Sequence, residues 1–393
     1  MALILFLGGV HSDIPLLECL KNSGHSVLLL NNAPVADVNL FCDVYLSIDY
    51  SDKETVLETA REHAVDHIIP GCNDSAYLTC AYVAEQLGLP GYDSYDVAEM
   101  LHHKDLFRNF MRENGFSRQK FFNLTDTASQ QEFDGDGFKY PLIIKPVDRS
   151  GGKGISKVDN LNGVEGALIK AFEWSLNGHV IIEEFEAGAL KSFSGFLVDG
   201  GMAFHFFDNE YSLYNPYQVS SSLAPLEIED GLRDSLVEEI SAIAKRMGLV
   251  GGLLHTQFLM VGDNFHIVEI TRRTPGDLYA YPVNKLTGVD YTSLTVSGYM
   301  GESLHIDDWQ VKDGYTVRHC PAAKKNGVIS QYVIDSSIEK YIIKVIKYLD
   351  VGDEVVNYSF QRMGVFILSF TDKEVATDIL RRINELIFVT VGD

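Results

Sequence analysis

The chain has 393 residues, 46% of them hydrophobic and 22% charged, an ordinary globular makeup with room for two to four domains at about 100–200 residues each. Its formal net charge of −23 argues against a nucleic-acid partner, which needs a basic face, and against an anionic membrane surface. An anionic ligand stays open, because a few local cations together with Mg²⁺ can hold phosphates inside an acidic protein. The five cysteines (Cys19, Cys42, Cys72, Cys80 and Cys320) form no C-x-x-C pair, which weighs against a zinc knuckle or redox motif, and their odd number fits a reducing cytoplasmic compartment.

In chain order, residues 2–7 are an apolar run ending in Gly8-Gly9, too short to span a membrane and with no basic region before it, so they read as a buried first strand. A helical pattern follows over 15–20, a second strand over 27–30, a helix over 53–64, a strand over 67–70 and a helix over 75–88. This alternation predicts a parallel sheet covered on both faces. The loop Gly8-Gly9-Val10-His11-Ser12-Asp13 lacks the G-x-G-x-x-G spacing, and the second strand ends in Asn31 without a ribose-binding acid, so a dinucleotide-binding reading is rejected. His11 and Asp74 sit on loops after strands, where ligands of such sheets gather.

A helix opens at His103-Lys104 and stops at Gly115. The strand over 140–147 carries Lys145 inside an apolar run, which costs free energy unless the lysine meets an anion. Asp148-Arg149-Ser150-Gly151-Gly152-Lys153-Gly154-Ile155 follows, a loop whose backbone N–H groups can close on phosphate oxygens, although its spacing is not that of a P-loop. Residues 180–185 read as a strand ending in Glu183-Glu184-Phe185, and 193–198 with 202–207 as a strand pair. Residues 208–226 read as irregular and tyrosine-rich, and 230–247 as a long helix.

The stretch 257–273 predicts two strands around Gly262-Asp263-Asn264, a turn by composition. Period two puts Glu269, Thr271 and Arg273 on one face and His266, Val268 and Ile270 on the other. A three-residue loop pairs Val261 with Phe265 and sets Gln257 opposite Glu269; a two-residue loop would shift the pairing by one. An amide oxygen and a carboxylate so placed, beside an arginine, make either a Mg²⁺ and phosphate site or a surface hairpin with a polar pair. Thr274-Pro275-Gly276-Asp277 reads as a turn, 336–346 as helix-like, and the end of the chain as strand-rich.

In this order, Lys104, Lys145 with the loop 149–155, Glu183-Glu184-Phe185, Gln257, and Glu269-x-Thr271-x-Arg273 resemble the ATP-grasp superfamily of the carboxylate–amine ligase type, biotin-carboxylase-like and amino-acid-ligase-like. The resemblance spans residues 1–305. It implies an α/β and α+β chain with the ATP-grasp fold. An N-terminal parallel-sheet domain covers 1–100, a central lid region 101–182, a C-terminal grasp region 183–305, and a small appended α+β unit 306–393.

The same resemblance implies ATP and Mg²⁺ as cofactors. A small carboxylate becomes an acyl phosphate, and an amine, such as that of an amino acid, displaces the phosphate. It assigns Lys104 and Lys145 to the ATP phosphates, and Ser150, Gly151, Gly152 and Gly154 to a mobile lid over them. The backbone of Glu183 and Phe185, with Glu184 between, becomes the adenine hinge; Gln257, Glu269 and Thr271 hold metal, and Arg273 steadies the transferring phosphate. Most members carry Glu where this chain has Gln257, Asn where it has Thr271, and an acid where it has Leu190, with Glu186 a substitute for the last. Two other readings stand: a bicarbonate-activating enzyme of the carboxylase or carbamoyl-phosphate-synthetase kind, and a non-catalytic ATP-binding protein. The partners implied are small-molecule substrates, with a homodimer as the assembly. The stretch 315–327 resembles the C-terminal domain of such proteins, with Arg318 either at the site or on the surface.

Overall fold

A computed structural model describes residues 1–33, 36–117, 119–127 and 132–392. The first sheet holds β1 (Leu3–Leu7), β2 (Ser26–Leu30), β3 (Val44–Leu46) and β4 (His67–Pro70), parallel and ordered β3-β2-β1-β4. Its strands are apolar at nearly every position because both faces are covered. Ile4, Phe6, Val27 and Leu29 pack with Leu16, Leu17 and Leu20 of helix Ile14–Asn22; Leu5, Leu7, Leu28 and Leu30 pack with Val56, Leu57 and Ala60 of helix Lys53–Glu62. The short strand β3 and the helix Tyr95–His102 carry patterns too brief to be read from the sequence.

The second sheet is antiparallel, β5-β8-β6-β7, from β5 (Phe121–Leu124), β6 (Leu142–Pro146), β7 (Ser156–Val158) and β8 (Val180–Glu184). Helix Val164–Trp174 covers one face through Ala167, Leu168 and Ala171 against Leu142, Ile144, Val180 and Ile182. The glycine loop connects β6 to β7.

The third sheet has eight strands in the order β13-β12-β9-β10-β11-β14-β18-β16. These are β9 (Ala189–Val198), β10 (Gly201–Tyr211), β11 (Ser221–Ala224), β12 (Gly252–Val261), β13 (Asn264–Thr271), β14 (Tyr315–His319), β16 (Ile342–Lys347) and β18 (Gly364–Phe370). A last small sheet joins β17 (Glu354–Val355), β15 (Gly327–Ile334) and β19 (Ile387–Gly392). The eight-stranded sheet runs through the expected division at 305, taking three strands from the last part of the chain.

One face of the large sheet is apolar. Phe193, Phe207, Leu254, Phe258 and Ile270 bury against Leu236, Ile240 and Ile243 of helix Asp230–Met247, the long helix the sequence predicts. The other face grades from apolar (Phe196, Phe206, Leu253, packed on Tyr279 and Val283) to polar, and that polar end positions the candidate site.

Three expectations are corrected. Residues 208–226 are not irregular throughout: 208–211 complete β10, and 221–224 form β11. Their acids and serines looked like loop composition, but they occupy strand positions facing the polar end of the sheet. The stretch 336–346 is not helical; a 3₁₀ turn at Glu339–Tyr341 leads into β16, whose β-branched Ile342, Ile343, Val345 and Ile346 favour a strand over the helical spacing they mimic. The chain end includes an amphipathic helix, Lys373–Leu386, which packs Ala376, Ile379, Leu380 and Ile383 against Phe366 and Leu368.

Candidate active site

The hairpin β12–β13 reaches the expected alignment by a different route. Its loop has two residues, Gly262 and Asp263, with Val261 paired to Asn264 and Gly262 at φ 60°, a value glycine adopts without strain. That turn alone would put Gln257 out of step with Glu269. A bulge then intervenes: Phe258 pairs with Ile267, and the next pair is Gln257 with Glu269, leaving Val268 unmatched. The three-residue loop and the Val261–Phe265 pair do not occur, and the Gln257–Glu269 pair does. The bulge also resets the alternation. Ile267 and Ile270 both enter the core under helix Asp230–Met247, so His266 and Val268 do not share the face of Ile270.

Arg108 binds carbonyls beside the bulge on β13, the edge strand of the large sheet. Its Nη2 donates to the Val268 carbonyl at 2.8 Å and its Nη1 to that of Ile267 at 3.4 Å. Arg108 comes from helix Lys104–Glu113, is 4% exposed, and puts its Nε 2.5 Å from Glu183 Oε1. The other oxygen of Glu183 lies 2.5 Å from Lys145 Nζ. This is the anion that the lysine in an apolar strand required. Burial acts to raise the pKa of Glu183, but Arg108 and Lys145 together bring it down to about 2. Burial lowers the Lys145 pKa, with Glu183 opposing. A continuous chain of contacts thus runs from Lys145 through Glu183 and Arg108 to the hairpin bulge. Arg108 gave no sequence signal beyond an arginine on an amphipathic helix.

Lys104, at the start of the same helix, donates from Nζ to the Arg149 carbonyl at 2.7 Å, which ties it to the glycine loop. Gly151, Gly152 and Gly154 all have positive φ, between 68° and 78°. A Cβ on Gly152 would lie 2.7 Å from the Tyr217 carbonyl, so this loop is seated on the segment after β10. Ser150 is exposed. At the expected hinge, the Glu184 N–H donates to the Lys120 carbonyl and the Phe185 N–H to that of Pro141, while the Glu184 carbonyl accepts from Gln119 Nε2. The Glu183 side chain belongs to the lysine–arginine cluster rather than to the hinge surface.

Across the polar end of the large sheet, one row runs Glu269, Gln257, Ser192, Asp208 through four adjacent strands. The next row pairs Glu210 with Ser222 and Ser222 with Arg318. The sequence held a partial signal: polar residues stand two apart on each strand (Ser192 and Ser194, Asp208 and Glu210, His255 and Gln257, Thr316 and Arg318), with an apolar residue between them in the first and last pairs and a polar one, Asn209 or Thr256, in the other two. Gln257 Nε2 lies 2.5 Å from Glu210 Oε2. Burial, reinforced by Asp277, pushes Glu210 up to about 8, and burial pushes Asp208 up to about 6. Arg318 is 1% exposed and ion-paired to Asp277 at 3.1 Å, so it is not a surface arginine. Burial, with Arg273 nearby, pushes His255 down to about 3, and its Nδ1 meets Ser194 Oγ at 3.2 Å.

Two adjacent arginines leave β13 in opposite directions. Arg272 is buried against Asp93 at 2.9 Å. Arg273 reaches Asp74 Oδ1 at 2.7 Å, and Asp74 also lies 3.3 Å from His102 Nδ1. Burial opposes the charge on Asp74, but Arg273 and His102 hold its carboxyl well below the usual range. Asp74 opens helix Asp74–Leu87, capped by Asn73, so the front sheet supplies the counter-ion of the expected phosphate-binding arginine. The turn 274–277 is gripped from both ends of the chain: Ser12 Oγ and Arg362 Nη1 each donate to the Gly276 carbonyl at 2.7 Å, and Ser12 Oγ meets Tyr348 Oη at 3.0 Å. Asp13 organises the first loop, accepting from the N–H groups of Gly9, Val10 and Cys72. These contacts account for Gly8-Gly9 without a ligand.

The oxygen donors of Gln257, Glu269 and Thr271 fit Mg²⁺, a hard cation that takes oxygen ligands and keeps part of its shell from phosphates and water. Thr271 Oγ1 is buried with no hydrogen-bond partner, as are the hydroxyls of Thr256, Thr274 and Thr316, and so has its oxygen free for a cation. Among the described residues no three His, Cys, Asp or Glu side chains stand together as a metal cage, so water and phosphate oxygens would complete such a shell. Among them also, no helix is long and apolar enough to cross a membrane.

No protein-family model matches the chain. It is 23% identical over 319 residues to a phosphoribosylamine–glycine ligase from Pyrococcus horikoshii, covering 75% of this chain and 70% of that one. Among solved structures, an L-amino acid ligase from Bacillus licheniformis superposes with a TM-score of 0.85 at 17% identity, over 100% of this chain and 99% of that one. The biotin carboxylase domain of the Hydrogenobacter thermophilus 2-oxoglutarate carboxylase, solved as a dimer with MgADP, ADP and bicarbonate, superposes with a TM-score of 0.79 at 19% identity, over 99% and 90%. The chain therefore has the ATP-grasp fold.

Proposed function

We propose that this chain is an ATP- and Mg²⁺-dependent ligase that activates a small carboxylate as an acyl phosphate and couples it to an amine, an amino acid being the expected kind, releasing ADP and phosphate. The observation that carries the reading is the chain of contacts from Lys145 through Glu183 and Arg108 to the bulge that aligns Gln257 with Glu269. It holds a phosphate-binding lysine of the lid sheet and the cation pair of the large sheet in one rigid arrangement, as transfer between two closing sheets requires. The likeness to a phosphoribosylamine–glycine ligase and an L-amino acid ligase supports the carboxylate–amine class.

In this reading Lys104, Lys145 and the loop 149–155 bind the triphosphate. A carboxylate oxygen attacks the γ-phosphorus as the bond to ADP breaks. Arg273, released from Asp74 by the more highly charged phosphate, braces the transferring group with a two-pronged contact. Mg²⁺ at Gln257, Glu269 and Thr271 would neutralise charge building on that group. The amine nitrogen then bonds to the acyl carbon, shedding a proton, and phosphate leaves. Arg318 and Asp277 hold the floor beneath this step. The domain divisions at 100, 182 and 305 and a homodimeric, cytoplasmic enzyme remain part of the proposal.

ADP and phosphate release measured over pools of amino acids and small acids tests the class, with turnover expected only when acid and amine are both present. Release that needs bicarbonate instead would favour the second reading, which the bicarbonate and MgADP complex of the Hydrogenobacter relative supports. Tight ATP binding with no turnover on any pool would overturn the ligase.

A further inference from the structure

We propose that Glu210 is a positioning residue for the cation site, fixing which end of the Gln257 amide faces the cation. The inference rests on the reading of Gln257 and Glu269 as the cation pair. A carboxamide has one atom that can ligate Mg²⁺, its oxygen; its NH₂ has no lone pair to give. A glutamine beside a metal therefore serves only if something holds its NH₂ elsewhere, whereas a glutamate, with two equivalent oxygens, needs no such guide.

Glu210 fulfils that condition. It lies on β10, separated from β12 by β9, and is 6% exposed. Its Oε2 accepts from Gln257 Nε2 at 2.5 Å. Oε2 can accept whether or not the other carboxyl oxygen carries a proton. With Nε2 so engaged, Oε1 is the atom left to present. The backbone register supplies the rest: Gln257 stands directly between Ser192 on one neighbouring strand and Glu269, its partner at the cation, on the other. Glu210 does not itself complete a cage with Glu269, since no three acidic, histidine or cysteine side chains gather there among the described residues. Its action is through Gln257.

The pair makes a donor–acceptor swap possible. Glu210→Gln removes the fixed acceptor and lets either amide turn, so the Gln257 oxygen is lost part of the time. Gln257→Glu alone sets two carboxyl groups within hydrogen-bond distance in a buried place, where one must hold a proton. Gln257→Glu with Glu210→Gln restores one donor and one acceptor with their positions exchanged and the net charge unchanged.

Mn²⁺ affinity, followed by electron paramagnetic resonance in the presence of ADP, is the measurement, with metal-free ADP affinity and the melting temperature as companions. Glu210→Gln should weaken Mn²⁺ by about 10–100-fold, the usual effect of losing a partner of a metal ligand, and leave metal-free ADP binding unchanged. Gln257→Glu alone should lower the melting temperature, and the double variant should recover both melting and Mn²⁺ affinity. If Glu210→Gln melts below the assay temperature, the double variant carries the test, since its pair is complete. Wild-type Mn²⁺ affinity in Glu210→Gln, or a double variant that recovers nothing, would overturn the role of Glu210 alone. A wild-type chain that binds no Mn²⁺ with ADP would overturn the cation site itself, and the Glu210 role with it.

Discussion

Glu183 is charged in a place where burial alone would neutralise it, and the two cations that keep it so, Arg108 and Lys145, come from a helix and a neighbouring strand. Its pKa in the fold is about 2, below its ordinary value of 4.5. The group therefore contributes stability that is fully present above pH 4.5 and is lost as the pH falls from there toward 2. Glu183→Gln should be less stable at neutral pH by about 3–5 kcal/mol, because it leaves two buried cations without their anion. Its unfolding free energy, read from urea midpoints between pH 2 and 6, should also fall less steeply with acid than that of the wild type. An unchanged slope would mean that other carboxylates drive the acid response. Glu269 makes a sharper case. As the only carboxylate of the expected metal set, its replacement in Glu269→Gln should cost about a hundredfold or more in turnover, with the melting temperature held, since it lies on the polar face and no buried ion pair depends on it. Full activity at ordinary Mg²⁺ concentration would remove the hairpin from the mechanism.

At the scale of elements, the glycine loop and the hairpin are the two parts that would meet over a nucleotide in the proposed ligase. The loop is seated on the Tyr217 carbonyl through Gly152, whose φ is 78°. Gly152→Ala would bring a Cβ to 2.7 Å from that oxygen and strain the backbone as well. It should raise the ATP concentration needed for half-maximal turnover and leave residues 149–155 open to protease even with ATP and Mg²⁺, whereas both should protect the wild-type loop. Equal protection in the two chains would separate the loop from nucleotide binding. Much of this was legible in the sequence. Lys145 declared itself by sitting in an apolar strand, and Gln257 and Glu269 by a turn between two alternating runs. What stayed hidden depends on partners far along the chain. Asp208 and Glu210 read as loop because acids are rare in strands that do not face a site. Arg108 carried no signal because its anion lies far along the chain at Glu183. The bulge at Val268 left no composition signal, since what fixes it is the demand of Phe258, Ile267 and Ile270 for one apolar face.

The whole molecule is less divisible than a row of units suggests. Three of the eight strands of the large sheet lie beyond residue 305, and among them β14 carries Arg318. The turn that follows Arg273 is held by Ser12 from the first loop and by Arg362 from between β17 and β18. A chain ending at residue 305 should therefore not give a soluble folded protein, because β11 would be left as a bare edge and Val317, Phe366 and Leu368 would be missing from its core. Expression followed by circular dichroism checks this, and a cooperative melt from the shortened chain would contradict it. Arg362→Met in the full chain is the gentler version. It should keep the fold, leave nucleotide affinity near that of the wild type, and raise the substrate concentration required for turnover, since the arginine acts on the turn beside Asp277 rather than on the lid.

The short turn at Gly262-Asp263 and the extra residue at Val268 cancel each other. Neither is meaningful alone to the pairing of Gln257 with Glu269. In chains of the same length that share this hairpin, a turn one residue longer should come with an unbulged second strand. The same arithmetic can be run at the bench. Deleting Val268 should close the bulge while leaving Phe258 opposite Ile267 and Gln257 opposite Glu269, so Mn²⁺ binding in the presence of ADP should persist, and its loss would show that the bulge itself shapes the site.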